Sequence, residues 1–195
     1  ALARLHRAGR DFTLTRANAL GPAGWAPLAE ACAPHADGVE PGLSAMVSQA
    51  FTSITQAWPD LPSGVIHADL FPDNVLFMKD EVSGLIDFYF ACNDMFAYDL
   101  AIMMNSWCFE NDGSYNITKG QALAGAYQSV RPLNEAEIDA LPILMQGASL
   151  RFLLTRLFDW VHHDPNALVS PKDPREYARK LRFHQKVTHA REYGV

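Results

Sequence analysis

Two periods of hydrophobic and polar positions divide this chain. In the opening stretch ALARLHRAG, Leu2, Leu5 and Ala8 share one helical stripe, Arg4, Arg7 and Arg10 lie off it, and Gly9 supplies a stop. From Thr13 to Gly42 proline and glycine accumulate (Pro22, Gly24, Pro27, Pro34, Gly38, Pro41, Gly42), which predicts an irregular excursion with a short helix near 25–33. The spacing of Met46, Ala50, Ile54 and Ala57 predicts a helix over 43–58. The period then shortens. Residues 64–67, 75–79 and 84–88 read as short strands, the last two joined by the polar turn Asp80-Glu81-Val82-Ser83. Helical spacing returns over 98–108 and 119–131, and a long apolar segment runs from Glu135 to His163, with Pro142 expected to interrupt it. Asn134 followed three residues later by Glu137 is a capping-box signature for its start. A last helix is expected over 174–191, with Pro174 in its first turn. The pattern predicts an α+β chain: a mostly helical body interrupted once by a small group of short strands, where chemistry is best sought.

Composition narrows the classes. The chain has 195 residues, 49% hydrophobic and 19% charged, enough for one domain with a sizeable core. No uncharged apolar run approaches the roughly 18 residues of a membrane span, and no basic stretch followed by an apolar one opens the chain. A soluble, cytoplasmic protein without membrane contact is expected. A net charge of −6 disfavours broad nucleic-acid binding, which needs clustered Lys and Arg. Cys32, Cys92 and Cys108 are odd in number and lack CxxC spacing, so reduced, partly buried thiols are expected rather than disulfides or a zinc site. His162, His163, His184 and His189 form no HExxH or His/Cys pattern. The first pair suits a solvated helix end. Arg175, Arg179, Lys180, Arg182 and Lys186, interleaved with Glu176 and Glu192, are expected to be a solvated face. Trp107 and Trp160 are expected in the core rather than on a pocket wall.

Residues 64–88 read GVIHADLFPDNVLFMKDEVSGLIDF, and three polar residues stand where strands end or loops turn: Asp69, Asn74 and Asp87. Taken singly, each is more simply a turn former, because Asp and Asn bond their own backbone. Together, a loop carboxylate, a loop amide and a strand-end carboxylate can converge on one side of a hairpin. Hard oxygens of this kind suit Mg²⁺, which takes one or two protein carboxylates plus substrate phosphates. The remaining carboxylate is then free to accept a proton from an attacking hydroxyl, the requirement of phosphoryl transfer.

The run His67-Ala68-Asp69-Leu70-Phe71-Pro72-Asp73-Asn74 resembles the kinase catalytic loop H-R-D-x-x-x-x-N at every fixed position except the Arg. Asp87 is followed by Phe88-Tyr89 rather than Phe-Gly, only eleven residues separate it from Asp99, and no Ala-Pro-Glu follows, so a protein substrate is not expected. With Ile86-Asp87-Phe88, Tyr98-Asp99-Leu100-Ala101 and the opening Leu2-Ala3-Arg4-Leu5-His6, the chain resembles the aminoglycoside phosphotransferase and choline kinase superfamily of small-molecule kinases. Longer stretches, such as 86–92, 105–109 and 151–160, are most similar to its homoserine kinases.

That resemblance implies a predominantly helical C-terminal lobe of a protein-kinase-like fold over 1–195, using ATP and Mg²⁺ to phosphorylate a small alcohol. Homoserine is the implied acceptor, in threonine biosynthesis. Asp69 would be the catalytic base, Asn74 and Asp87 would hold Mg²⁺, His67 would brace the loop, and Asp99 would cap its helix or tie it to the loop. Arg151 and Arg156 stand in an apolar run and could read the substrate carboxylate. Five residues apart, they fall about 140° from each other on a helix, so one is expected to face the pocket, unless Arg156 pairs with Asp159. Asn93 and Asp94 could receive the ammonium or simply form a turn. Another small alcohol such as choline or an aminoglycoside, a non-catalytic binding module of the same fold, and a metal-dependent hydrolase remain open. No Gly-rich loop or Lys precedes residue 67, which leaves too little chain for an ATP-gripping lobe of about 100 residues. The N-terminal lobe is expected to be a needed partner, and the chain alone is expected to be inactive.

Overall fold

The computed structural model describes residues 1–164, 166, 168 and 170–195. Helix α1 (Leu2–Ala8) runs into a 3-10 turn (Gly9–Asp11), and α2 (Pro22–Val39) and α3 (Leu43–Gln56) follow. Strand β1 (Ser63–Ile66), a 3-10 turn (Pro72–Asn74), β2 (Val75–Met78), β3 (Glu81–Leu85), a second 3-10 turn (Phe88–Phe90) and β4 (Cys92–Met95) form the strand region. Helices α4 (Phe96–Trp107), α5 (Ile117–Gln128), α6 (Glu135–Val161) and α7 (Arg175–His184) complete the body, before a closing 3-10 turn (Ala190–Tyr193). No described helix is long and apolar enough to cross a membrane.

Helix α6 is the axis on which α2, α3, α4 and α7 pack. Its start is the expected capping box: the Glu137 amide donates to Asn134 Oδ1 (2.8 Å) and the Asn134 amide to Glu137 Oε2 (3.0 Å). Pro142 does not interrupt it, and the 27-residue helix runs roughly 40 Å unbroken. An interior proline costs about 3 kcal/mol or more. Leu141, Leu144 and Met145 around it are fully buried, each worth about 1.5–3 kcal/mol, so packing outweighs the lost bond. The same contest decides α2. It is 18 residues long where a short helix in an irregular excursion is expected, and it keeps Pro27 and Pro34 inside. Trp25, Cys32 and Ala36 bury its inner face, and Trp25 stands edge-on to Trp58, which stands edge-on to Tyr98.

Helix α3 buries Leu43, Val47, Ala50 and Ile54, a stripe rotated from the expected one; Met46 is half-buried and Ala57 exposed. The strands form two separate antiparallel pairs, β1 with β4 and β2 with β3. Two boundaries differ from expectation. The hairpin turns at Lys79-Asp80, Lys79 having φ 56°, so β3 begins at Glu81, inside the expected turn. Both hairpin faces are largely exposed, so the strand carries no alternating pattern. Strand β4 reads Cys-Asn-Asp-Met and looks like a turn; it is a strand because β1 and residues 16–17 pair with its two edges.

The last helix ends at His184, short of the expected 191, and the His184 side chain is buried. A buried polar node joins α4, α6 and α7: Ser149 Oγ (2.7 Å) and His184 Nε2 (3.0 Å) both donate to Asn105 Oδ1, and Tyr193 donates to His184 Nδ1 (2.9 Å). Lys180, expected on a solvated face, is buried and donates to Asn105 O (2.9 Å) and Glu176 Oε1 (2.7 Å). Burial lowers its pKa. Arg179 and Lys186 do face solvent. Burial, helped by the Lys180 charge, pushes His184 down to about 3 from 6.5. Between those values the unfolded chain binds a proton that the folded chain refuses. Stability therefore falls on acidification from pH 6.5, by about 1.4 kcal/mol per pH unit. Thermal melts between pH 7 and pH 5 are expected to show this slope, and His184→Gln is expected to flatten it whatever its effect at pH 7. Equal slopes in the two proteins would acquit His184.

Candidate active site

The site grows out of the buried end of β1. Ile66 pairs with Cys92 of β4, which fixes where the chain leaves the strand. The next two backbone N–H groups, of His67 and Ala68, donate to the two carboxylate oxygens of Asp99, each at 2.8 Å. Ala68 is thereby held at φ 63°, a left-handed conformation costing an L-residue about 1–2 kcal/mol. Asp99 also accepts from His6 Nε2 (2.9 Å), whose Nδ1 lies 2.8 Å from the Tyr127 hydroxyl, and all of this is buried. The opening helix, α4 and α5 thus meet at one carboxylate behind the loop.

His67 fixes the loop from the other side. Its Nε2–H donates to Ile86 O (3.0 Å), and its Nδ1 accepts from the Asp69 amide (3.3 Å). The bond to Ile86 anchors the segment that carries Asp87. Asn74 Nδ2 donates to Asp69 O (2.8 Å) and, more weakly, to Asp69 Oδ2 (3.4 Å), while the Ile86 amide donates to Asn74 O (3.0 Å). Asp87 lies beyond β3 rather than ending it. At φ 61° it caps the 3-10 turn Phe88–Phe90, accepting from the Tyr89 amide at 3.4 Å.

Asp69, Asn74 and Asp87 therefore line one cavity of about 350 Å³, as the spacing led one to expect. Burial raises the Asp69 pKa, opposed by Arg151 and His67 and reinforced by Asp87. A larger groove of about 710 Å³ between α1, α4 and α5 is mostly apolar, with Lys119 the one charged side chain among the described residues lining it. Trp107 is on that wall as well as half-buried, and its indole donates to Leu70 O (2.8 Å). Trp160 is exposed rather than in the core.

Among the expected acceptor-site residues the structure makes distinctions. Arg151 and Arg156 both line the cavity, contrary to the expectation that one would turn away. The cavity wraps a face of α6 broad enough to take residues 140° apart, from Arg151 through Phe152, Thr155 and Arg156 to Asp159. Arg156 is already paired, with Glu176 Oε2 of α7 (2.6 Å) and not with Asp159. Asp94 does not line the cavity; its carboxylate accepts from Asn18 Nδ2 and from the Met95 amide, each at 2.7 Å. Sequence reasoning missed Phe90, Asp159 and Lys172 as cavity-lining residues, and Tyr127 behind the loop. Phe90 and Asp159 lie in stretches read only for resemblance and Lys172 and Tyr127 in none; the 3-10 turn Phe88–Phe90, α5, α6 and the segment before α7 gather them around the loop.

A half-buried loop carboxylate on a loop braced from both sides, bonded to an amide and sharing a small cavity with a second carboxylate, is the arrangement of the kinase-like class of phosphotransferases. The chain belongs to the phosphotransferase enzyme family, whose model matches residues 1–133. It is 59% identical over 196 aligned residues to a homoserine kinase of Azorhizobium caulinodans, 59% to one of Parvibaculum lavamentivorans and 60% to one of Chelativorans sp.. Each alignment covers 100% of this chain and 61% of the relative.

Proposed function

We propose that the protein to which this chain contributes transfers the γ-phosphoryl group of ATP to the side-chain hydroxyl of L-homoserine, giving O-phospho-L-homoserine and ADP. The observation that carries this reading is the convergence of Asp69, Asn74 and Asp87 in one cavity, in a chain 59–60% identical to homoserine kinases. Because the chain spans 61% of those relatives, the reaction is assigned to the complete protein, with residues 1–195 acting as the catalytic and acceptor-binding lobe beside a nucleotide-gripping lobe. The three cysteines, free and buried, suit a reducing, cytoplasmic setting.

Asp69 accepts the hydroxyl proton as the new O–P bond forms and the bond to the ADP oxygen breaks. Its burial raises its proton affinity, which favours that acceptance, while Arg151 and His67 keep the shift from running further. The Asn74 amide orients it, leaving Asn74 Oδ1 without a donor among the described residues. Asp87 accepts only one weak bond among the described residues. These two free hard oxygens fit Mg²⁺, which when bound neutralises phosphate charge during transfer.

The test is ADP release by the full-length protein with Mg²⁺-ATP and, separately, L-homoserine, choline and kanamycin. Release with homoserine alone is expected. Faster release with choline or kanamycin would move the assignment within the superfamily, hydrolysis without nucleotide would favour a hydrolase, and nucleotide binding without turnover a binding module.

A further inference from the structure

The buried cations of this chain differ in one respect. Arg131 is paired with Glu137 (2.7 Å), Lys180 with Glu176 (2.7 Å) and the half-buried Arg156 with the other oxygen of Glu176 (2.6 Å). Arg151, only 1% exposed, has no carboxylate within ion-pair distance among the described residues. One of its N–H groups, on Nη1, donates to the Ala68 carbonyl, and Nε is buried without a partner. Phe152 and Phe90 flank the guanidinium at 4.7 and 5.6 Å from their ring centroids. The ring faces attract the cation, but a buried guanidinium with an unpartnered N–H and no counter-ion still calls for an anion from outside. The anion's entry is at hand, because Arg151 lines the cavity that holds Asp69.

We propose that Arg151 is the carboxylate anchor of the acceptor site, holding the α-carboxylate of an amino-acid alcohol while its hydroxyl meets Asp69. This deepens the phosphotransfer reading above and rests on it. Chain geometry supports the pairing: the carbonyl that Arg151 holds belongs to the residue just before Asp69. In homoserine four bonds separate the hydroxyl oxygen from the carboxylate carbon, a reach of roughly 5 Å for bonds of about 1.5 Å. A short substrate therefore spans neighbouring groups of one loop and one helix. The planar guanidinium fork matches a carboxylate, which a lysine does not reproduce. Arg156 is excluded from the role by Glu176, and Asp94 takes no part in the cavity. Choline and aminoglycosides, being cationic, gain nothing from such an anchor.

The experiment compares L-homoserine with L-homoserine amide, which keeps the hydroxyl and the ammonium but lacks the carboxylate, in the full-length protein. The unaltered protein is expected to prefer homoserine by about 10²-fold in kcat/KM, and Arg151→Gln to collapse that preference to within about threefold. If Arg151→Gln does not fold, Arg151→Lys carries the test and is expected to lose about tenfold of the preference, through KM rather than kcat. An unchanged preference, with both substrates slowed alike through kcat, would overturn the proposal and assign Arg151 to the loop or to the transferred phosphoryl group. Failure of the unaltered protein to phosphorylate homoserine while using another alcohol would overturn the underlying reading, and is told apart because it is seen without any substitution.

Discussion

Asp69→Asn in the full-length protein is expected to lower kcat by at least 10³-fold while leaving Mg²⁺-ATP affinity within about threefold. The amide is nearly isosteric, so the hydrogen bonds that the Asp69 carbonyl accepts from the Phe71 amide and from Asn74 Nδ2 survive and the loop keeps its shape. What disappears is the proton acceptor. General-base catalysis and positioning are each worth factors of about 10² to 10⁴, and the substitution removes the first outright. Nucleotide binding is expected to persist because Asn74 and Asp87, the proposed metal-facing oxygens, are untouched. Single-turnover phosphorylation and nucleotide titration together check this. Turnover within tenfold of the parent would show that Asp69 is not the base.

The second large effect is structural. Asp99→Ala is expected to destabilise the fold by about 3–5 kcal/mol, because it strands buried donors from His67, Ala68 and His6 at once. For a chain of this size that corresponds to a fall of about 6–20 °C in Tm. The damage is not confined to stability. Ala68 sits in a left-handed conformation because both Asp99 oxygens hold the backbone there, and Asp69 is the next residue. Residual folded protein should therefore show a reduced kcat. Asp99→Asn is expected to be milder, since it retains one acceptor oxygen but sets an amide donor against a backbone N–H. Denaturant melts alongside activity at a temperature where every variant is folded separate the two effects, and an Asp99→Ala protein within 1 kcal/mol of its parent would remove Asp99 from the framework of the loop.

Local patterns were legible where a short stretch of chain decides the outcome by itself. The α6 capping box needs only Asn134 and Glu137, three residues apart, and it forms as read. The loop proposed to be catalytic is likewise written within 67–74, and the approach of Asn74 to Asp69 spans five residues. Boundaries failed where two principles competed. Proline signals break at Pro27, Pro34 and Pro142, yet the buried faces of α2 and α6 prevail. Exposed strands such as β3 carry no alternation to read, and β4 exists only through its partners.

The sequence by itself determined the chemistry available to this protein: the carboxylates, the amide, their spacing about a hairpin, and a helical body to carry them. Those features are local, and local sterics and hydrogen bonding fix them. Only the tertiary structure decided which distant groups serve the site. It gave Arg156 a partner on α7 and Asp94 one at Asn18, left Arg151 without a carboxylate among the described residues, and put His6 and Tyr127 behind the loop. The physical reason is that a buried charge takes its meaning from its nearest counter-charge, and across helices that neighbour is set by packing rather than by distance along the chain.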